Sequence, residues 1–248
     1  MTDGTTELYD LLSKRADTLE RIYEREYDAS DLRSETDMAD STVYKSLSEL
    51  EGAGLIAREG GGYELTAYGE AVYRKHKEMS RVCEARPLLK HLSNEFAPDA
   101  LADFETVLSE PHAPQKPVSR MEDVIETSEE VHGLAPVVTE RYVRFAREKA
   151  LDGVNFEFVM EEAVFEHVRD EYPEMLRDQF ENGVSVYVTH GSVPYGLAVS
   201  DAGVCVIAYD GGGIVGGMFS SRSTGREWGK GRYQAHRERA KEVRYEAV

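Results

Sequence analysis

The chain has 248 residues, enough for two domains, with 41% hydrophobic and 31% charged residues. Its formal charge is −18, from 47 Asp and Glu against 29 Lys and Arg, which excludes a broadly basic nucleic-acid coat. Two cysteines, Cys83 and Cys205, exclude a disulfide framework and make no zinc spacing. No signal-peptide pattern opens the chain and no apolar run reaches membrane length. A cytoplasmic protein with free thiols, no membrane partner, no metal and no cofactor is therefore expected.

Residues 31–66 are the most informative stretch. Asp31-Leu32-Arg33 reads as a short helix, and a tight turn at Thr36-Asp37-Met38 follows. In the next helix Val43, Leu47 and Leu50 fall at i, i+4 and i+7, which predicts one buried stripe. Ser41, Thr42, Tyr44, Lys45 and Ser48 lie between those positions. Such groups reach phosphates or base edges when a helix lies in the DNA major groove, and Lys45 supplies a point charge for a phosphate. Ala39 has no side chain able to cap this helix, so Asp40 or Ser41 is expected to do so. Gly52 and Gly54 stand where the helix must stop. Ile56-Ala57-Arg58 and Tyr63-Glu64-Leu65 then read as two short strands joined by Gly60-Gly61-Gly62. Arg58 adds a cation on that hairpin. Helix, turn, helix and hairpin in this order predict a winged helix-turn-helix.

These residues carry a family resemblance. Asp37–Lys45 followed by Leu50–Ile56 resembles archaeal winged-helix transcription regulators. Over its whole length the chain is similar to haloarchaeal members of the methanogenesis and filament (Fil) regulator type. Leu11–Ala16 is similar to their opening helix, and Tyr63–Gly69 to their wing and the helix after it. The resemblance implies DNA binding by the N-terminal domain and a sensor-like C-terminal domain. At one position the chain departs from it: Asp40 stands where such regulators carry an arginine.

Charge bears on both features. Residues 1–80 hold 18 Asp and Glu against 10 Lys and Arg, a net −8. Acidic residues are spread along the whole chain, which fits a protein working in concentrated salt, where counterion release adds little to binding. The competing reading is a protein-binding module that has lost DNA.

A helix is expected from Thr66 to about residue 93, with Ala71, Val72, Met79, Val82 and Cys83 on its apolar face. Residues 94–120 contain Pro98, Pro111, Pro114 and Pro117 and read as a linker. Beyond it helix and strand alternate. Helix is predicted at Glu140–Leu151, strand at Val154–Met160, helix at Glu161–Glu181 with a break near Pro173, and strand at Gly183–Val188. Three further strands follow at Gly196–Val199, Val204–Tyr209 and Ile214–Phe219, and a helix over about Arg226–Val243. The resulting fold class is α+β. Residues 1–93 form a winged helix with its linker helix, 94–120 a proline-rich linker, and 121–248 an α/β effector or dimerisation domain with a mixed sheet.

Loops at strand ends are where α/β sheets bind ligands. Thr189, His190, Ser192 and Tyr195 follow the second strand of that domain. Glu157 is a charge on an otherwise apolar strand, which needs a partner or a ligand. These five are the candidate effector-binding residues. Residues 221–248 hold 8 Lys and Arg against 4 Asp and Glu, a basic stretch in an acidic chain. A phospholipase D frame, His-x-Lys-x4-Asp, can be laid on residues 194–201, but only Asp201 survives. Pro194 replaces the nucleophile and Gly196 the lysine. The expected function is a dimeric DNA-binding transcription regulator, not an enzyme, gated by a small-molecule effector. The alternatives are a degenerate phospholipase D-like enzyme with a winged-helix docking domain, and the interaction module.

Overall fold

The computed structural model describes residues 3–25, 31, 32, 34, 38–92 and 96–244. The chain divides into two compact units, Met1–Ser80 and Arg81–Val248.

The first unit begins with α1 (Asp3–Glu24), followed by α2 (Asp40–Gly52), β1 (Ile56–Glu59), β2 (Gly62–Leu65) and the start of α3 (Ala67–Leu89). Of the expected helix at Asp31–Arg33, Asp31 and Leu32 are helical and Leu32 is fully buried. Arg33 and the turn residues Thr36 and Asp37 lie outside the described residues. Val43, Leu47 and Leu50 are buried with Leu12, Leu19, Ile22, Leu55, Ile56 and Tyr73, as the helical spacing requires. Ser46 is buried as well, and its hydroxyl donates to the Thr42 carbonyl at 2.8 Å. The end of α2 is a Schellman turn. Gly54 takes φ 72°, its N–H donates to Glu51 O, and the Leu55 N–H donates to Leu50 O. At the other end the expected cap is not made. Ala39 is the N-cap and makes no side-chain cap hydrogen bond, and the Thr42 and Val43 N–H groups bond the Ala39 carbonyl. Asp40 favours the first turn through its charge near the positive helix end. β1 and β2 pair antiparallel from Ile56↔Leu65 to Glu59↔Gly62, forming the wing.

In chain order the second unit contains the end of α3, α4 (Pro98–Leu101), β3 (Glu105–Leu108), α5 (Lys116–Glu126), β4 (Glu130–Ala135), α6 (Glu140–Leu151), β5 (Asn155–Glu161), α7 (Glu162–Glu171) and α8 (Pro173–Glu181). There follow β6 (Ser185–Thr189), β7 (Gly196–Ser200), β8 (Val204–Asp210), β9 (Gly213–Ser220), α9 (Ser223–Arg237) and β10 (Lys241–Glu242). Eight strands form one sheet in the order β10-β6-β5-β4-β7-β8-β9-β3. β4, β5 and β6 are parallel neighbours and the other pairings are antiparallel. The central strands are buried on both faces, which explains their near-continuous apolar runs. One face packs against α9 and the end of α3, with Leu88, Phe104, Tyr195, Val199 and Met218 in the core. The other carries Ile125 of α5, Val143 of α6, Phe165 of α7 and Leu176 of α8.

Several expectations are corrected here. The segment 94–120 is not a linker. Pro98 and Pro117 stand in the first turns of α4 and α5, where the missing N–H costs no hydrogen bond, so these prolines start helices. Between them β3 closes the sheet edge, pairing Glu105↔Phe219 through Leu108↔Gly216. The strand β4 was hidden by its composition, since Glu130, His132 and Gly133 interrupt the apolar pattern. It nevertheless occupies the sheet centre, where a Cβ on Gly133 would lie 2.7 Å from the Phe158 ring. The last helix stops at Arg237, and β10 then adds to β6. The buried positions of α3 are Gly69, Tyr73, Ala85 and Leu88, whereas Ala71, Met79 and Cys83 are exposed.

Candidate nucleic-acid interface and ligand cavity

On α2, Ser41, Tyr44, Lys45 and Ser48 are exposed and Thr42 is half-buried. The opposite face is locked into the core, so these side chains share one presented surface. Arg58 is exposed on the wing, with its guanidinium 5.9 Å from the Tyr63 ring centroid. Lys45 Nζ stands 3.9 Å from Glu49 Oε1, and the lysine side chain is 67% exposed. Glu49 is held more closely from α1, where Arg15 Nε donates to it at 2.8 Å. That hydrogen bond holds the Glu49 carboxyl below the usual carboxylate range. Arg15 thus takes up a carboxylate that would otherwise compete for Lys45, a role its position in α1 did not announce.

The five candidate effector residues are not gathered into one pocket. Thr189 is buried, and its hydroxyl oxygen accepts the Gly191 N–H. His190 is exposed, with Nδ1 3.1 Å from Glu162 Oε2. Ser192 is exposed in the same loop. Tyr195 is fully buried in the core beside α9, its ring stacked on Trp228 at 6.5 Å. Glu157 lies four residues back from the end of β5, roughly 13 Å along the strand. It accepts a hydrogen bond from the Tyr233 hydroxyl at 2.6 Å and stands 3.7 Å from His132 Nδ1. The charge on Glu157 therefore finds its partner on α9 within the protein. Asp201 turns the chain between β7 and β8, where its carboxylate accepts the Glu129 N–H.

A cavity does exist, on the other face of the sheet. It has a volume of about 120 Å³ and lies among α5, α6, α8 and the central strands. Pro136, Val137 and Val138, all half-buried, edge it at the carboxyl end of β4. Thr139 caps α6 by accepting the Tyr142 N–H, which sets Tyr142, Val143 and Ala146 against the cavity. Tyr209 enters from β8, and its hydroxyl lies 3.3 Å from that of Tyr142. Sequence reading missed Tyr142 and Tyr209 because each occupies an ordinary amphipathic position on its own element. The sheet alone brings them together. Among the described residues no group of three His, Cys, Asp or Glu is placed to hold a metal ion. No described helix is long and apolar enough to cross a membrane.

Residues 114–239 match the family described as methanogenesis regulatory protein FilR1, middle domain, and residues 5–87 match the HVO_A0261 N-terminal domain. The first match spans just over half of the chain. The chain belongs to the FilR1 family of regulatory proteins, as residues 37–56 led one to expect. Among solved structures it is similar to TrmBL2, an archaeal chromatin protein described as showing a novel mode of DNA binding. That likeness has 10% identity over 94% of each chain and a TM-score of 0.46. It is also similar to Nuc, a phospholipase D family member from Salmonella typhimurium, at 10% identity. There 57% of this chain and 97% of that one are covered, with a TM-score of 0.45. At these values neither likeness extends to activity or ligands. No curated protein matches the chain.

Proposed function

We propose that this chain is a transcription regulator that binds double-stranded DNA through α2, acts as a homodimer, and responds to a small molecule through its second unit. The single observation carrying the DNA reading is the exposed face of α2. Ser41, Thr42, Tyr44, Lys45 and Ser48 share it, beside a wing bearing Arg58. A helix so presented fits the major groove, with hydroxyls for base edges and cations for phosphates. Membership in a family of regulatory proteins supports the regulatory half of the reading. Dimerisation follows from geometry, since one recognition helix reads only a few base pairs and a symmetric pair doubles the contact. For a ligand to regulate, it must bind the DNA-competent and DNA-free states unequally. A tenfold preference changes operator affinity by about 1.4 kcal/mol.

The test is recovery of genomic fragments on the full chain in concentrated salt, followed by gel shift of the enriched fragment. Lys45→Ala is expected to weaken binding to all sequences alike, as loss of a phosphate contact does. The quadruple variant Thr42→Ala, Tyr44→Ala, Lys45→Ala, Ser48→Ala is expected to abolish the specific shift. If that variant is folded and shifts the fragment as wild type does, the assignment is wrong. One observation favours a second reading, a protein-binding module: the net −8 of residues 1–80. Recovery of no enriched fragment at any salt concentration selects that reading. As a regulator the chain turns over no phosphodiester. Turnover by pure protein that is lost on changing Asp201 or His190 would restore the hydrolase reading.

A further inference from the structure

The cavity of the second unit has a chemistry of its own. Among the described residues its wall carries no Lys, Arg, His, Asp or Glu, and its polar side chains are Tyr142, Gln179 and Tyr209. Gln179 Nε2 is already committed to the Val143 carbonyl at 2.9 Å. The two phenol oxygens stand 3.3 Å apart, longer than the roughly 2.7–2.8 Å of a good O–H···O bond. Burial raises both phenols above their ordinary range, so both are neutral donors.

Two further features keep Tyr209 at this place. Gly196 of β7 lies against it, where a Cβ would lie 3.2 Å from the Tyr209 hydroxyl and 3.3 Å from Ile207. The β8–β9 ladder also shifts register between Ala208 and Tyr209. Such irregularities re-aim a side chain at the end of a strand. A glycine and a ladder shift thus place one phenol opposite another inside an otherwise apolar wall.

We infer that this cavity binds a small uncharged molecule, apolar over most of its surface, whose single hydroxyl or carbonyl oxygen lies between the Tyr142 and Tyr209 hydroxyls. A charged ligand has no counterion in the wall, and its desolvation would go uncompensated. The volume of about 120 Å³ is near that of an engineered cavity of about 150 Å³ that takes benzene. The ligand class is therefore a substituted six-membered ring or a short branched chain. The inference deepens the sensing role proposed for the second unit and rests on that reading only for its regulatory consequence.

The test uses the full chain, without DNA, with phenol, toluene and benzoate as probes in saturation-transfer NMR and calorimetric titration. Phenol is expected to bind saturably, toluene several-fold more weakly for want of the oxygen, and benzoate at least about tenfold more weakly than phenol. Two variants fill the cavity, Ala198→Phe from β7 and Ala146→Leu from α6, and each is expected to reduce phenol affinity at least about tenfold. The double variant Tyr142→Phe, Tyr209→Phe keeps the volume and is expected to erase the difference between phenol and toluene. Because it only removes two oxygens, it carries the test if a filling variant fails to fold by circular dichroism. The inference is overturned by absence of saturable phenol binding, by benzoate binding as well as phenol, or by phenol binding that both folded filling variants retain. Failure here leaves the DNA reading of α2 standing. Saturable phenol binding without any change in affinity for the enriched DNA fragment keeps the site and removes the sensing role.

Discussion

At Gly69 the difference between a hydrogen and a methyl group decides how the wing joins the helix after it. A Cβ there would stand 1.8 Å from the Leu55 carbonyl oxygen. Beside it Thr66 fastens the same junction, donating its hydroxyl to Gly54 O at 2.7 Å and accepting the Gly69 N–H at 2.9 Å. Gly69→Ala is expected to destabilise the first unit by about 3 kcal/mol or more, because backbone has to shift. Gly52→Ala, where no atom lies within 4 Å, is expected to be neutral or stabilising by up to about 1 kcal/mol. Urea unfolding of the two variants beside wild type reads both signs. The two cysteines separate in the same residue-by-residue manner. Cys83 is exposed, while Cys205 is fully buried in β8 and desolvation pushes its thiol up. One thiol per chain is expected to react with Ellman's reagent in the native protein, and the second only after denaturation. Two fast native thiols would contradict the packing of β8.

Helices α1, α2 and α3 are tied by charge as well as by their apolar stripes. Arg15 reaches Glu49, and Lys77 Nζ donates to Glu20 Oε1 at 2.6 Å. These hydrogen bonds lower both carboxyls below the ordinary 4.5. A carboxyl whose folded pKa is lowered contributes stability that is present above its unfolded pKa and lost as pH falls through the folded one. The double variant Glu20→Gln, Glu49→Gln is therefore expected to be less stable than wild type near pH 7. That gap should narrow as pH falls below 4.5 and through the lowered folded values, where both carboxylates become protonated in wild type. A gap that persists in acid would assign the effect to packing. The elements that were easy to read have local causes. α2 has a period and a stop within its 13 residues and a turn at Gly54 just after them, and α6 matches its expected limits of Glu140 and Leu151. The elements that were missed draw their stability from elsewhere. β3 and β10 are edge strands of 4 and 2 residues, held by ladders to distant partners. β4 interrupts its apolar pattern with Glu130, His132 and Gly133 and is held by ladders to β5 and β7.

Charge acts on the molecule as a whole. At −18 the chain repels itself, and salt screens that repulsion. Thermal stability is expected to rise as KCl goes from roughly 0.05 M to 1 M, where the Debye length falls to about 3 Å. A flat or falling melting temperature would show that the acidic surface is not what limits stability. The same charge bears on DNA. Lys45 and Arg58 are the two cations among the candidate contacts. For the proposed dimer the expected slope of log affinity against log salt is then about −4, near −0.9 per phosphate neutralised. A much steeper slope would mean that cations outside α2 and the wing take part.

Period, cap, stop and turn act between residues a few positions apart. They lie in the order of the chain, and so the winged helix, its buried stripe and its exposed polar face were legible there. The alternation of helix and strand after residue 140 was legible for the same reason, and with it the mixed sheet. The places where distant segments meet were not legible. Residues 94–120 joined the second unit because Pro98 and Pro117 begin helices and β3 finds an edge at β9. Glu157 looked available along the strand, yet Tyr233 of α9, 76 residues away, takes its carboxylate. Tyr142 and Tyr209, 67 residues apart, face one cavity only because β4 and β8 flank β7 in the sheet. Local spacing sets the elements, while strand order and helix packing choose which side chains meet.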